Sequence, residues 1–140
     1  MKKFTILIPA YNDWKSLEKL LNNISVNVKD IQSVEFNCII VNDCSTLKNY
    51  EITIPPNIKS IKIIHMNKNR GHARCIAVGI KYLSEKQDLD YAILMDADGE
   101  DRPEEIELLV NTVLSEPNFS IVAKRIKRHE GSLFLLLYHI

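Results

Sequence analysis

Five short runs of almost unbroken apolar, β-favouring residues recur along this chain, at 4–9, 34–43, 60–66, 91–96 and 119–124. Strands that are apolar at every position are buried on both faces, which is the habit of parallel sheets rather than of hairpins. Parallel neighbours need crossovers, and the segments between the runs carry helical stripes. Trp14, Leu17, Leu21, Ile24 and Val28 share one face; Ala73, Ile76, Ala77 and Ile80 follow Gly71 at helical spacing; Ile106, Leu109, Val110, Val113 and Leu114 form a third stripe. Pro103 suits the first helical position, and Glu104 and Glu105 suit the positive end of the helix dipole. The stretch 49–58 reads as a loop, because Pro55-Pro56 breaks either kind of ladder. The expected fold is therefore α/β, a mostly parallel sheet flanked by helices. A length of 140 residues suits one domain spanning 1–140.

In such sheets ligands sit outside the carboxyl ends of the strands. Three segments leave those ends with similar polar chemistry: Pro9, Ala10, Tyr11 and Asp13 after the first run, Asn42, Asp43 and Ser45 after the second, and "DADGED" (96–101) after the fourth. Tyr11 could stack on a nucleobase whose N–H groups Asp43 accepts. Asp96, Asp98 and Glu100 stand at i, i+2 and i+4, so in an extended segment they share one side. That spacing suits Mg2+ or Mn2+, a hard cation held by one or two carboxylates and completed by ligand phosphates. Unmetallated, so dense a cluster would raise its own pKa values.

Several of these residues have ordinary structural uses as well. Asp13 can cap the first helix, Asp43 with Ser45 can form an Asx-type turn, and Asp101 and Glu104 suit a helix start. "RGHARC" sets Arg70, His72 and Arg74 at another helix start, where a phosphate would be welcome and where solvated side chains are equally at home. His65, His129 and His139 stand alone and are read as non-functional. The basic run 124–129 leaves the last strand on the ligand side.

The remaining composition narrows the class. Eighteen basic residues balance eighteen acidic ones, so no global field favours nucleic acid or anionic lipid. Cys38, Cys44 and Cys75 lack CxxC spacing and are expected as buried free thiols. Their odd number, with no signal peptide, points to a reducing cytosol. No apolar run reaches the about 20 residues of a membrane helix. P-loop, GxGxxG and nucleophile-elbow motifs are absent from the sequence.

Taken in order, "ILIPAYND", "IIVNDCS", "NRGHARCIAVGI" and "MDADGEDRPEEI" resemble the family-two glycosyltransferases of the GT-A fold. The nearest flavour is that of polyprenyl-phosphate glycosyltransferases such as dolichol-phosphate mannose synthases. The resemblance implies the Rossmann-like nucleotide-binding half of a GT-A fold. It also implies an inverting, metal-dependent transfer of a sugar from a UDP- or GDP-linked donor to an acceptor, a polyprenyl phosphate or a glycan. Carried over by residue, it gives donor contacts to Pro9, Ala10, Tyr11, Asp13, Asp43, Arg70 and Asp96. Asp96, Asp98 and Glu100 fall to the metal, and Arg125 to a phosphate. Glu100 stands where the mannose synthases often have glutamine. Family members run well beyond 140 residues, so the chain is expected to be a donor-binding fragment whose acceptor half and general base lie further on. "LFLLLYHI" (133–140) would be the stump of a longer helix. The expected location is the cytoplasm, peripheral at the membrane face through that further part. The competing readings are a non-catalytic nucleotide-binding remnant and a phosphoacceptor receiver domain. The receiver is suggested by a strand-ending acid and by Lys124, but a receiver needs an acidic pair just after the first strand, where this chain has Pro9-Ala10-Tyr11.

Overall fold

The computed structural model describes residues 1–47, 51–86, 88–118 and 120–121. Four strands, β1 (Lys2–Ala10), β2 (Val34–Asn42), β3 (Ser60–His65) and β4 (Tyr91–Leu94), form one sheet in the order β3-β2-β1-β4. Every pairing is parallel: β1 runs beside β2 from Lys2↔Val34 to Ala10↔Asn42, and beside β4 from Phe4↔Tyr91 to Leu7↔Leu94. β2 pairs with β3 from Asn37↔Ser60 to Asn42↔His65. The chain thus winds outward from β1 to β3, then returns through α2 (His72–Ser84) to lay β4 on the other side of β1. The reversal opens a crevice at the carboxyl ends of β1 and β4, the place such sheets reserve for ligands.

Burial separates the strands. β1 and β2 are central, and from Phe4 to Ala10 every β1 residue is buried. β3 and β4 are the outer strands among the described residues, and they alternate between half-buried and exposed, with Leu94 exposed. The fifth expected strand, 119–124, lies largely outside the described residues, as do Lys124, Arg125, the rest of the 124–129 run, His129, His139 and 133–140.

α1 (Trp14–Val28) buries the stripe its sequence announces, Trp14, Leu17, Leu21, Ile24 and Val28, widened by Leu20 and Ser25. α2 does not. Its buried residues are Cys75, Gly79 and Leu83, while Ala73, Ala77 and Ile80, expected to face the core, are exposed. The cause is Gly79. A Cβ at that position would stand 2.7 Å from Leu7 Cδ2, so the missing side chain lets the helix settle onto β1 by that face. Cys75 and Leu83 then pack with Leu7, Ile39 and Val41, and half-buried Ile64, Met66, Val78, Tyr82 and Leu89 close the cluster. Counting Ala and Ile at helical spacing overlooked that a glycine marks the closest approach.

Pro103–Glu105 forms a 3-10 turn, with buried Pro103 at its first position, and leads into α3 (Ile106–Ser115). The chain divides into two compact units, 1–107 and 108–140. The first contains the whole sheet, α1 and α2. In the second the described part of α3 buries Val110 and exposes Leu108 and Leu114, so the expected stripe holds only in part. Among the described residues no helix is long and apolar enough to cross a membrane.

Candidate functional site

The first rim of the site is a hydrogen-bonded scaffold. After β1 the chain turns at Asn12, which takes a left-handed φ of 59°, a conformation that asparagine tolerates better than most residues. The Asn12 side chain explains the turn. Its Oδ1 accepts the backbone N–H groups of Thr46 (2.9 Å) and Leu47 (3.0 Å), and the backbone N–H of Asn12 donates to Ser45 Oγ (2.9 Å). Ser45 in turn donates through both N–H (3.0 Å) and Oγ (2.6 Å) to Asn42 Oδ1, while Asn42 Nδ2 meets His65 Nδ1 at 3.0 Å. The Asx-type turn expected of Asp43 therefore belongs to Asn42. His65, expected to stand alone, ends this chain of bonds.

Asp43 is buried, and its duty is different. Its Oδ1 accepts the N–H of Arg70 (2.7 Å) and its Oδ2 that of Gly71 (2.8 Å), tying the end of β2 to the start of α2. Gly71 takes a φ of 87°, which an L side chain rarely adopts. Beneath Asp43 lies Cys75, whose thiol is pushed up to about 11 by burial first, and then by the Asp43 charge and a hydrogen bond to it. Cys38 is also buried and pushed up to about 12 by desolvation alone. Both shifts act against the thiolate form that reactivity needs, and Cys44 is half-buried rather than buried as expected.

The second rim, after β4, is a turn and not the extended segment expected. Gly99 has a φ of 85°, and Asp98 Oδ1 accepts the Glu100 N–H (2.9 Å). Asp101, expected to start a helix, instead turns back and accepts the Asp96 N–H through Oδ2 at 2.7 Å. The Asp96 carboxylate faces His72 Nε2 at 3.3 Å. Its pKa is raised, first by desolvation and further by Asp101, Asp98 and Glu100, with His72 pulling the other way.

Between the rims opens a cleft lined by Pro9, Ala10, Tyr11, Asp13, Asp43 and, from the other side, His72, Cys75, Asp96, Ala97 and Asp98. Asp13 occupies the N-cap position of α1 but makes no capping bond with its side chain, so of its two expected roles the structure leaves the cleft. Arg70 is exposed and serves the site through its backbone N–H; Glu100 is exposed and stands outside the lining. His72 was read only as one of three residues at a helix start where a phosphate would be welcome or solvent would serve, not as a neighbour of Asp96. Nothing local in the sequence could tell that α2 begins beside the end of β4.

Against known proteins, the model of the family described as glycosyl transferase family 2 matches residues 5–138. The chain belongs to that family. An undecaprenyl-phosphate 4-deoxy-4-formamido-L-arabinose transferase of Photorhabdus laumondii is 34% identical over 139 residues, covering 96% of this chain and 40% of the relative. A dolichol-phosphate mannosyltransferase of Pyrococcus furiosus is 26% identical, covering 89% of this chain and 34% of the relative. The chain thus spans about two fifths of the first of these curated relatives. Among solved structures, residues 1–349 of S. aureus TarS in complex with UDP-GlcNAc superpose with a TM-score of 0.65 at 21% identity, over 89% of this chain and 37% of that 1–349 chain. That likeness bears out the α/β fold of the GT-A kind, and family membership sets the receiver-domain reading aside.

Family-two glycosyltransferases are expected to use a divalent cation, and the acidic rim can be tested for one. No three metal-ligating side chains converge among the described residues, so a protein cage for Asp96, Asp98 and Glu100 together is not formed. Asp96 and Asp98 do both line the cleft. Desolvation, and after it the like-charged neighbours, hold Asp96 above its ordinary pKa. This donor set fits a hard cation that takes one or two carboxylates and draws its other oxygens from phosphates and water.

Proposed function

We propose that this chain is the donor-binding portion of an inverting, metal-dependent glycosyltransferase. It would take a sugar from a nucleoside diphosphate sugar, UDP- or GDP-linked, and pass it to a polyprenyl phosphate. The observation that carries this reading is the cleft itself, which gathers Tyr11, Asp13, Asp43, Asp96 and Asp98 at the carboxyl ends of β1, β2 and β4. Tyr11, 43% exposed, offers a ring face for the base. Asp43 accepts from the N–H groups of Arg70 and Gly71 and from the Cys75 thiol, and a carboxylate has about four lone-pair sites, so one is left for a base N–H. Pro9 and Ala10 supply the floor, and Asp13 faces the sugar side of the nucleoside.

Asp96 and Asp98, the "DAD" of the acidic rim, would hold Mg2+ or Mn2+, with Glu100 close by in sequence. A cation there supplies neutralisation of the charge that develops on the departing diphosphate. Arg125 and the Arg70 side chain are proposed to meet phosphates. The acceptor assignment draws support from the two polyprenyl-linked relatives, and the nucleotide-sugar donor from the UDP-GlcNAc complex of TarS. A polyprenyl phosphate brings an oxygen already largely ionised at neutral pH, its second pKa being about 6; a glycan hydroxyl would need a base to take its proton. With such an acceptor the site would work in the cytoplasm, at the membrane face.

Calorimetric titration of UDP and GDP, with Mn2+ and with chelator, tests the reading. Wild type is expected to bind one of them in a metal-dependent way. Asp98→Ala should lose that dependence while keeping its far-ultraviolet circular dichroism. Equal affinity in wild type and variant would overturn the assignment. Turnover of a chain extended past residue 140, beside this one, separates an enzyme from a binding remnant.

A further inference from the structure

The four carboxyl-bearing residues of the cleft, Asp13, Asp43, Asp96 and Asp98, pose a charge problem for any diphosphate that enters it. A cation on Asp96 and Asp98 answers part of it. The usual second answer is a helix N-terminus, whose N–H groups welcome an anion. Here the two N–H groups just ahead of α2, those of Arg70 and its N-cap Gly71, are already spent on the protein's own Asp43, so part of that answer is used up. Arg70 and Arg74 are exposed and absent from the lining. Among the described residues lining the cleft, His72 alone carries a basic nitrogen.

Its present contact is loose. His72 Nε2 stands 3.3 Å from Asp96 Oδ1, beyond the usual span of a hydrogen bond between such atoms, and both side chains are well exposed, 57% and 44%. An imidazole N–H and a metal ion would compete for the same carboxylate. Resting on the donor-binding reading above, we propose that His72 leaves Asp96 when donor and cation bind and contacts the diphosphate through Nε2. His72 is then a phosphate contact supplied by a side chain that lines the cleft, made at the expense of its pairing with Asp96.

The test compares nucleoside with nucleoside diphosphate. Uridine, UDP, guanosine and GDP are titrated by NMR, with Mg2+ present, into wild type, His72→Ala and His72→Arg. The expected result is a loss of about tenfold or more in affinity for the preferred diphosphate in His72→Ala. Nucleoside affinity should be unchanged, and the diphosphate affinity regained in His72→Arg. Mn2+ binding without nucleotide, followed by electron paramagnetic resonance, should not fall in His72→Ala. A fall there would mean that the imidazole only steers Asp96, and the inference fails. It fails too if His72→Ala binds diphosphate as wild type does, or loses nucleoside and diphosphate equally. If wild type binds neither UDP nor GDP, it is the donor-binding reading that falls, an outcome distinct from the others.

Discussion

The two rims of the cleft are built on opposite physical terms. The rim after β1 and β2 is closed on itself: Asn12, Ser45, Asn42 and His65 bond in series, and Asp43 fastens β2 to α2. The rim after β4 has its backbone fixed by Asp101 and Asp98, yet it leaves Asp96 beside like charges with its pKa raised, by desolvation above all. One rim holds its shape through the protein's own hydrogen bonds. The other keeps unrelieved charge, so its stability should respond to a cation in solution. On the proposed function such a site would use both, shape to read a base and charge, through a cation, to grip the phosphates.

Breaking the first rim should therefore cost stability whether or not metal is present. The largest loss is expected from Asp43→Ala, which strips the acceptor from two backbone N–H groups where the chain enters α2. Two charge-assisted bonds to a buried carboxylate make this about 3 kcal/mol, read from urea unfolding. Asn12→Ala comes next, at about 2 kcal/mol, because it removes the bonds to Thr46 and Leu47 and leaves alanine with a left-handed backbone. Asn12→Gly should recover the backbone share, about half, without the bonds. If Asn12→Ala and Asn12→Gly unfold at the same urea concentration, the turn is held by something other than its φ.

What could be read from the sequence follows the same division. The strands and α1 were legible because a buried parallel sheet leaves continuous apolar runs, and Trp14 to Val28 repeat without interruption. The strand ends were legible as a group, since the fold class alone points ligands there. The bonds within each rim were not. Asn42 and Asp43 are adjacent and chemically alike, and only the pleat decides which side chain reaches Ser45 and which reaches Arg70. Asp98 and Asp101 looked like a ligand and a helix starter, but Gly99 at positive φ reverses the chain and brings both back onto local N–H groups. The face of α2 was misjudged because the informative residue, Gly79, has no side chain to count. The pairing of His72 with Asp96 escaped because the two are 24 positions apart, and nothing periodic links them.

The smallest expected effect lies on the second rim, and its sign is what matters. With its pKa above the ordinary 3.8, Asp96 holds its proton more tightly in the folded protein than in the unfolded chain. Its contribution to stability is then full below about pH 3.8 and is lost as pH rises through the raised value. At pH 7 in chelator the charged Asp96 is a slight burden, discounted by solvent because the side chain is 44% exposed. Asp96→Asn should accordingly unfold at a slightly higher temperature than wild type at pH 7, with the difference closing near pH 3.5. Added Mg2+ should stabilise wild type, by linkage to the folded state, and do less for the variant. A variant less stable than wild type at pH 7 in chelator would show that the His72 contact outweighs desolvation and crowding. The acidic rim would then be self-sufficient, like its neighbour.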